Sequence, residues 1–512
     1  STARSTRRQR TGRTRTSYNA LTLIDVVENL QLASSQTGVY FESDQQDNPL
    51  FLSYKELYKR VSSYARSFQE QGIAIGDRVI VPFETHPDVL CAFLGLMTLG
   101  AIPLSIKTLQ AAGGRTSYVE FLLEIARRHG ALRILGVPSL TGLSHPIPML
   151  TLPEPMQYEP NREFSYQPAP DDIAFVQLSS GTTGFPKGVP IRHDRCLQNL
   201  TYIVKTDQRN SRDIGAGWLP LYHDMGLIGL LSNFFSLNTV HISTPMNYLI
   251  DPIRWWSAFS AFHGTVTVTP NFGIDYTLRR LREMTVSDLR HLDLSSVKCI
   301  YLGSEPINLE TLNEFCERMA VTGLRRKAFT ACYGMSEAVL MVSSDGLRDV
   351  VRAHTSTHTQ YVCVGRPLPS FDIRIMTEAG TLAKEGELGA IELRNGTMAD
   401  GYFESNLPFF NEDDFYETGD LGMILNGELY IGGRIGDRMK VNGQSFFATA
   451  FEHVVESLPF VRAGYTVVFQ HCERIIVLIE MKPSQVKGTR RPQCRAAVVD
   501  VLMAETGVKV FV

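Results

Sequence analysis

Strand-like and helix-like segments alternate along this chain from Leu21 to about residue 370. In residues 78–83, 87–100 and 101–106 an apolar strand is followed by a helix and then by a second strand. A crossover helix between two strands places both strands parallel in one sheet. The pattern therefore predicts an α/β fold, in which mixed or parallel sheets are flanked by helices.

The remainder of the chain follows other patterns. Two short alternating strands surround a glycine-containing turn in residues 373–396, which predicts a β-rich subdomain. After Arg434 a helix, two paired strands and a last helix predict a small, incomplete α+β domain. Because 512 residues exceed what one core usually supports, several domains are expected. We predict a leader or linker at 1–17, a large domain at 18–433, and a hinge with a small lid domain at 434–512.

Composition and charge exclude several classes of protein. Hydrophobic residues make up 44% of the chain and charged residues 20%, as in ordinary globular proteins. A net charge of −3 argues against a nucleic-acid binder, which needs a concentrated basic surface. No apolar run reaches the length of about eighteen residues that a membrane span requires. The eight cysteines show no CxxC spacing, which predicts buried, reduced thiols and a cytoplasmic protein.

The segment from Ser1 to Ser17 departs from this composition. Six arginines stand there among serines and threonines, without an acidic residue. We expect this segment to be disordered, because it has almost no apolar residue to bury. A transit peptide has this composition, and so does a linker cut from a longer polypeptide; the missing initiator Met favours the linker.

A loop rich in glycine and hydroxyl residues follows the strand predicted at residues 173–178. Its glycines let backbone amides face an anion, its hydroxyls add donors, and its lysine supplies a positive charge. We expect a polyphosphate ligand, with a flexible surface loop as the alternative. The loop is not a Walker A motif, because no Gly-Lys-Ser/Thr closes it. The residues predicted to contact the nucleotide are Ser179, Ser180, Gly181, Thr182, Thr183, Gly184 and Lys187.

With four later blocks in the same order, this loop resembles the adenylate-forming superfamily of acyl-CoA synthetases, nonribosomal peptide adenylation domains and fatty acyl-AMP ligases. The resemblance implies that one block lies along the adenine: Gly303, Ser304, Glu305 and Pro306. It implies that Asp420 of Thr418-Gly419-Asp420 holds the ribose hydroxyls. Further nucleotide contacts are implied for Tyr333, Gly334, Met335, Ser336 and Arg434, the last of which also begins the hinge.

The block from Tyr333 ends in Glu337, which the resemblance associates with magnesium. A carboxylate beside a triphosphate is repulsive unless a cation lies between them. We therefore predict ATP and Mg²⁺ as cofactors, with Glu337 and Thr182 as metal ligands. The rival interpretation is a serine hydrolase elbow at Gly334–Ala338, which fails at its last position and lacks recognisable partners downstream.

Residues 218–227 and 269–272 resemble the corresponding segments of fatty acyl-AMP ligases. Amino-acid adenylation domains usually carry Phe-Asp where this chain has Tyr222-His223. Their aspartate pairs with the amino group of the substrate. We therefore expect a fatty acid or another carboxylic acid that lacks an α-amine.

His223 is predicted to lie at the carboxylate end of the acyl pocket, with a buried structural histidine as the alternative. Asn271 and Phe272 are predicted to contact the acid. The apolar residues 227–237 suit the wall of an acyl tunnel and an ordinary core helix equally.

The resemblance implies that the carboxylate attacks the α-phosphate of ATP, giving acyl-AMP and pyrophosphate. The candidate catalytic residues are Lys187, His223 and Glu337, which would stabilise the charge that develops. Among fatty acyl-AMP ligases the acyl group then passes to the phosphopantetheine arm of an acyl carrier protein, in lipid metabolism or in polyketide or lipopeptide biosynthesis. The alternatives are an acyl-CoA synthetase and a module that binds acyl-adenylate without catalysis.

Three departures from the superfamily bear on activity. Its small domain normally ends in a Pro-x-Thr-x-x-Gly-Lys segment, which this chain lacks, and Lys509 does not have that context. Truncation is the simpler interpretation, and such a chain would be impaired in adenylation. Gly436 stands where Asp or Lys commonly marks the hinge, and glycine permits rotation there. Residues 101–107 replace a Pro-Tyr-Pro-like run.

Overall fold

The structure is a computed structural model of the chain. It describes residues 20–42, 49–111, 114–153, 164–179, 185–347, 351–356, 359–441, 444–471, 474–483 and 491–512. The predicted leader at 1–17 and the loop residues Ser180, Gly181, Thr182, Thr183 and Gly184 lie outside these ranges.

The first of two large sheets has nine strands, and its central strands are parallel. Antiparallel strands complete both of its edges. In spatial order the strands are Arg366–Pro367, Met341–Ser344, Phe329–Gly334, Cys299–Leu302, Val266–Thr269, Ile214–Gly217, Thr239–Ile242, Gly38–Phe41 and Leu50–Ser53.

The second large sheet has six strands and contains the predicted strand–helix–strand unit. The strands of that unit pair in parallel, with Ile80 opposite Leu104. In order the strands are Met149–Leu150, Arg133–Leu135, Arg78–Pro82, Ile102–Ile106, Ile173–Leu178 and Gly188–Arg192. The predicted α/β fold with mixed or parallel sheets is confirmed.

A third sheet is antiparallel throughout and provides the predicted β-rich part. The two strands expected in residues 373–396 pair across it, with Ile375 opposite Ile391. Its strands are Ala353–Ser356, Thr359–Cys363, Glu428–Arg434, Tyr416–Leu425, Gly389–Asn395 and Phe371–Met376.

The C-terminal residues form two small sheets around a buried cluster that contains only residues after 438. The expected pair of strands is present and antiparallel, with Val468 opposite Val477. The strands are Arg438–Val441 with Gln444–Phe447, and Val461–His471 with Arg474–Met481 and Val510–Phe511. The domain boundaries at 433 and 434 stay a prediction.

Local sequence explains where the helices begin and end. In Pro87–Leu99 proline occupies the first turn, where its missing N–H costs nothing, and Nδ1 of His86 accepts a hydrogen bond from the amide of Asp88 at 3.2 Å. Gly100 ends the helix in the left-handed conformation at φ +90°. The other α-helices are Leu23–Asn29, Tyr54–Glu70, Arg115–His129, His193–Thr206, Asp224–Ser236, Pro245–Ile250, Pro252–Ala261, Asn271–Leu281, Val286–Leu289, Leu309–Met319, Ala448–Glu456 and Arg491–Thr506.

Two further expectations concern the membrane and the thiols. Within the described ranges, no helix has both the length and the apolar character needed to cross a bilayer. The seven described cysteines are all free; five are buried, as predicted, whereas Cys316 and Cys332 are half-buried. Cys472 lies outside the described residues.

Stability should fall as the pH drops from about 7 to 5, because His193 is buried in its neutral form. Its Nδ1 accepts a hydrogen bond from the amide of Leu23 at 3.1 Å, and burial lowers its pKa to about 4. An unfolded histidine titrates near 6.5, so the unfolded chain binds more protons between these values. The stabilisation is complete above pH ~6.5 and is lost towards pH ~4, to a total of about 3 kcal/mol.

Urea unfolding of the wild type and of His193→Asn, whose amide oxygen can replace Nδ1, tests this prediction. The variant should lose less stability between the two pH values than the wild type. His291→Asn, at an exposed position, is the matched control and should keep the full pH dependence. An unchanged dependence in His193→Asn would contradict the assignment.

Candidate active site

A cavity of about 410 Å³ opens where several strands of the nine-stranded sheet end. The strands Val266–Thr269, Cys299–Leu302 and Phe329–Gly334 are parallel, so their carboxyl ends share one edge of the sheet. Ligands in α/β proteins bind at such edges. The predicted site residues that line this cavity are Ser179, Lys187, His223, Ser304, Tyr333, Gly334, Met335, Ser336, Glu337, Asp420 and Arg434.

Asp420 anchors one side of the cavity. The hydroxyl of Tyr333 donates a hydrogen bond to its Oδ2 at 2.5 Å, and Nε of Arg434 lies 3.0 Å from its Oδ1. Nη1 of Arg434 also donates to the carbonyl oxygen of Thr418 at 3.2 Å. Burial raises the pKa of Asp420, whereas Arg434 and Tyr333 lower it. The structure thus brings together three residues that the sequence separates by up to 101 positions, from 333 to 434.

Glu337 also lines the cavity and lies in the short 3₁₀ turn Ser336–Ala338. The hydroxyl of Tyr402 lies 3.5 Å from its Oε1 and 3.2 Å from the hydroxyl of Tyr416. Nζ of Lys187 lies 4.5 Å from the centre of the Tyr402 ring. Burial and the nearby Asp224 raise the pKa of Glu337, while Tyr416 and Lys187 lower it. A buried carboxylate of this kind is stabilised by a cation, so Glu337 can hold a divalent metal ion.

The backbone after Gly334 is strained. Val339 has φ +71° and ψ −60°, a conformation that branched residues rarely adopt. The amide of Met335 donates to the carbonyl oxygen of Leu340 at 2.9 Å, and a Cβ placed on Gly334 would lie 1.7 Å from that oxygen. The close approach requires glycine at 334 and folds the chain back so that Glu337 lies in the cavity.

His223 lies at the start of the helix Asp224–Ser236 and is exposed within the cavity. It is therefore not a buried core histidine. The cavity walls partly desolvate the ring and lower its pKa, against the opposing effect of Asp224. The imidazole is consequently neutral at pH ~7 and can donate one hydrogen bond.

The adenine block and the predicted acid contacts meet beside the cavity. The carboxylate of Glu305 accepts a hydrogen bond from the amide of Phe272, and Oδ1 of Asn271 accepts one from the amide of Asn308 at 2.9 Å. Ser304 lines the cavity at φ +73°. Among the described residues, five predicted site residues flank the cavity rather than line it: Gly303, Glu305, Pro306, Asn271 and Phe272.

The helix Asp224–Ser236 has two kinds of face. Leu227, Leu231 and Phe234 are buried in the core. Other residues of the same helix line the cavity, opposite sheet residues such as Val240 and Val266. The run 227–237 therefore includes both a core face and a wall of the cavity, which extends between this helix and the sheet.

Part of the predicted phosphate loop can be located. The amide of Ser179 donates to the carbonyl oxygen of Lys187 at 2.8 Å, which closes the loop at its base. The residues between, 180 to 184, lie outside the described ranges, so their phosphate contacts and the metal contact of Thr182 stay predictions.

Comparison with known proteins identifies the family to which this chain belongs. The family of AMP-binding enzymes matches residues 39–403 of the chain. This chain belongs to that family. The predicted resemblance to adenylate-forming enzymes is confirmed, and the AMP-binding enzyme described here is an acid-activating ligase.

Similar proteins have been named for several related activities. A putative acyl-CoA synthetase of Caulobacter vibrioides is 27% identical over 93% of this chain and 88% of its own length. The medium-chain-fatty-acid–[acyl-carrier-protein] ligase JamA of Moorena producens is 30% identical over 62% of this chain and 59% of its own length. A solved structure from work on the fatty acyl-adenylate ligases of E. coli and L. pneumophila shares 28% identity and a TM-score of 0.85, over 96% of this chain and 93% of the other.

Sequence reasoning missed three residues of this AMP-binding enzyme that contact the Glu337 region. Tyr402 and Tyr416 surround Glu337, and Asp224 accepts a hydrogen bond from Ser336 Oγ at 2.7 Å. Their proximity to Glu337 arises only from folding. The available signals were the position of Tyr416, two residues before the Thr-Gly-Asp block, and that of Asp224, within the segment 218–227.

The Tyr416→Phe variant of the AMP-binding enzyme should lose activity mainly at low pH. The tyrosine hydroxyl stabilises the ionised form of Glu337, so its removal raises the pKa of that carboxyl and moves the acidic limb of the activity profile to higher pH. We expect kcat/KM on that limb to fall about 5-fold, the value of one hydrogen bond. Tyr430→Phe, outside the cavity lining, is the control, and an unmoved limb in Tyr416→Phe would contradict the contact.

A second group of potential metal ligands has another explanation. Asp345, Cys363 and Glu428 lie close enough together to hold an ion. Arg352 donates hydrogen bonds to all three, to Asp345 at 2.9 Å and to Glu428 at 2.7 Å. These residues therefore form a charged network within the AMP-binding enzyme, in which the guanidinium supplies the positive charge.

Proposed function

We propose that this chain joins a fatty acid to AMP at the expense of ATP and passes the acyl group to an acyl carrier protein. The observation that carries the proposal is one continuous cavity. It is lined by the Asp420–Arg434 pair and by Lys187 and Glu337, and it extends between the helix Asp224–Ser236 and the sheet. We assign the nucleotide to the part lined by these four residues and the acyl chain to the part between the helix and the sheet.

In the proposed reaction a carboxylate oxygen attacks the α-phosphorus of ATP. A new oxygen–phosphorus bond forms while the bond to the bridging oxygen breaks, and pyrophosphate leaves with that electron pair. Lys187 is exposed and lines the cavity, where it neutralises charge on the phosphates. The neutral ring of His223 donates one hydrogen bond to the incoming carboxylate and holds it in line. Asp420 accepts hydrogen bonds from the ribose hydroxyls.

Glu337 and Thr182 would hold Mg²⁺. The raised pKa of Glu337 fits this role, because a bound cation would restore the ionised form of a buried carboxyl. When bound, Mg²⁺ would supply charge neutralisation for the triphosphate. Tyr402 and Tyr416 contact neither substrate in this proposal; they hold the Glu337 carboxylate in place.

The acyl acceptor, a carrier protein or CoA, distinguishes two related activities. JamA is named for an acyl-carrier-protein acceptor, and the Caulobacter relative is named a putative acyl-CoA synthetase. The test measures thioester formation from preformed acyl-AMP, with CoA or with a phosphopantetheinylated carrier protein. Acylation of the carrier alone supports the proposal. A thioester formed with CoA assigns the chain as an acyl-CoA synthetase, and an acyl-AMP that stays bound without reaction with either acceptor favours a binding module.

We place this activity in the cytoplasm. The seven free, described cysteines support a reducing compartment, where structural thiols persist without pairing.

A further inference from the structure

A polar cluster closes the far end of the cavity. Arg209, Ser232, Asn233 and Tyr301 line the same cavity as Lys187, yet each is at most 6% exposed. Apolar walls would suffice for a plain hydrocarbon chain. Buried polar groups at this depth therefore require their own explanation.

The cluster is an ion pair with hydrogen-bonded neighbours. Nε of Arg209 donates to Oδ2 of Asp207 at 3.1 Å, and Nη1 donates to Oγ of Ser232 at 2.5 Å. The hydroxyl of Tyr301 lies 3.2 Å from the same Oδ2 of Asp207 and 3.1 Å from the carbonyl oxygen of Ile203, and either oxygen can accept its proton. Oδ1 of Asp207 is buried and has no hydrogen-bond partner among the described residues. The cluster thus has no net charge, and the polar side chains that it presents to the cavity are those of Arg209, Ser232, Asn233 and Tyr301.

The cluster lies at the opposite end of the strands from the nucleotide site. Nζ of Lys298, which immediately precedes the strand Cys299–Leu302, donates to the carbonyl oxygen of Gln208 at 3.2 Å. Arg209 is therefore near the amino end of that strand, whereas Ser304 follows its carboxyl end. Four residues of strand span about 13 Å. An acid with its carboxylate at the nucleotide site would extend its other end towards Arg209.

The chemistry of the cluster selects among possible end groups. A methyl end would cover buried polar atoms without forming a hydrogen bond with them. A charged end would add an uncompensated charge to a neutral ion pair. A hydroxyl avoids both costs, because it donates one hydrogen bond and accepts others.

We propose that the acid activated here carries a neutral hydrogen-bonding group, such as a hydroxyl, at the end remote from its carboxylate, and that the Arg209–Asp207 cluster recognises it. This inference rests on the proposed function and narrows its substrate class. Arg209 and Tyr301, which line the cavity, are the residues that determine specificity in this proposal.

The experiment compares matched straight-chain acids of equal length that end in a methyl group, a hydroxyl or a second carboxylate. Pyrophosphate release with ATP and Mg²⁺ gives kcat/KM for each acid. At the best chain length, the hydroxyl-ended acid should exceed its methyl-ended partner by at least about 10-fold, as expected when a site pairs with a substrate hydroxyl. Equal or better use of the methyl-ended or dicarboxylic acid overturns the proposal but leaves acid activation intact. Release with none of the acids counts against the proposed function itself.

Two variants then test whether the Arg209–Asp207 cluster causes the preference for the hydroxyl-ended acid. Asp207→Leu with Arg209→Met removes both charges together, so that no buried charge is left alone. It should reverse the preference in favour of the methyl-ended acid. Tyr301→Phe removes a single hydroxyl and should reduce the preference for the hydroxyl-ended acid about 5-fold. This variant tests the role of the cluster if the double variant does not fold. An unchanged ratio in a folded variant of either kind overturns the assignment.

Discussion

Glu337→Gln should lower kcat/KM for acyl-AMP formation by about 100- to 1,000-fold, the effect of removing one preorganised charge from a reaction centre. The amide keeps the size of the side chain but cannot carry the negative charge that holds a metal ion. Glu337 is buried beside Tyr402, whose ring also lies beneath Lys187, so the substitution would also disturb the lysine that we propose to bind the phosphates. The measurement is pyrophosphate release at saturating fatty acid and Mg²⁺.

Glu70→Gln is the matched control for this substitution. Glu70 lies at the exposed end of the helix Tyr54–Glu70 and forms an ion pair with Arg66 on the surface. Its replacement should leave the rate unchanged. A Glu337→Gln enzyme within about threefold of the wild type would contradict a role in charge stabilisation.

Asp420→Asn should raise KM for ATP by about 10- to 100-fold, the value of losing the charge-assisted hydrogen bonds that we propose between Asp420 and the ribose. The carboxylate receives Tyr333 on one oxygen and Arg434 on the other, so the amide also weakens the pairing with Arg434. Because these contacts precede the chemical step, kcat should change less than KM. Steady-state kinetics with varied ATP separates the two parameters.

Asp437→Asn provides the comparison for Asp420. Asp437 is exposed, three residues after Arg434, and is not part of the cavity lining. Its KM for ATP should match the wild type. If Asp420→Asn behaved in the same way, the ribose assignment would be wrong.

The sequence predicted the fold where local patterns carry the information. Residues 78–106 form the expected parallel unit because apolar strands, a proline-initiated helix and Gly100 all specify the same structure. The hairpin at 371–395 and the strands at 461–481 followed from alternation and turn residues. Such features depend on neighbours in the chain.

Features that arise from distant contacts could not be predicted. Tyr402 approaches Glu337 across 65 positions, and Tyr301 approaches Asp207 across 94. No periodic pattern in the sequence indicates that such distant residues are in contact. The backbone strain at Val339 was equally hidden, since valine gives no signal for positive φ. The roles of the predicted site residues rest on the resemblance, and the structure adds that the main candidates share one cavity.

The most direct test of acid activation follows the α-phosphate of ATP. The enzyme is incubated with Mg²⁺, a panel of fatty acids and ATP labelled on that phosphate, and the products are separated and identified by mass. We expect the label in acyl-AMP, in amounts equal to the pyrophosphate released and dependent on the acid. Label found only in ADP, or AMP formed to the same extent without an acid, would contradict acyl-adenylate formation.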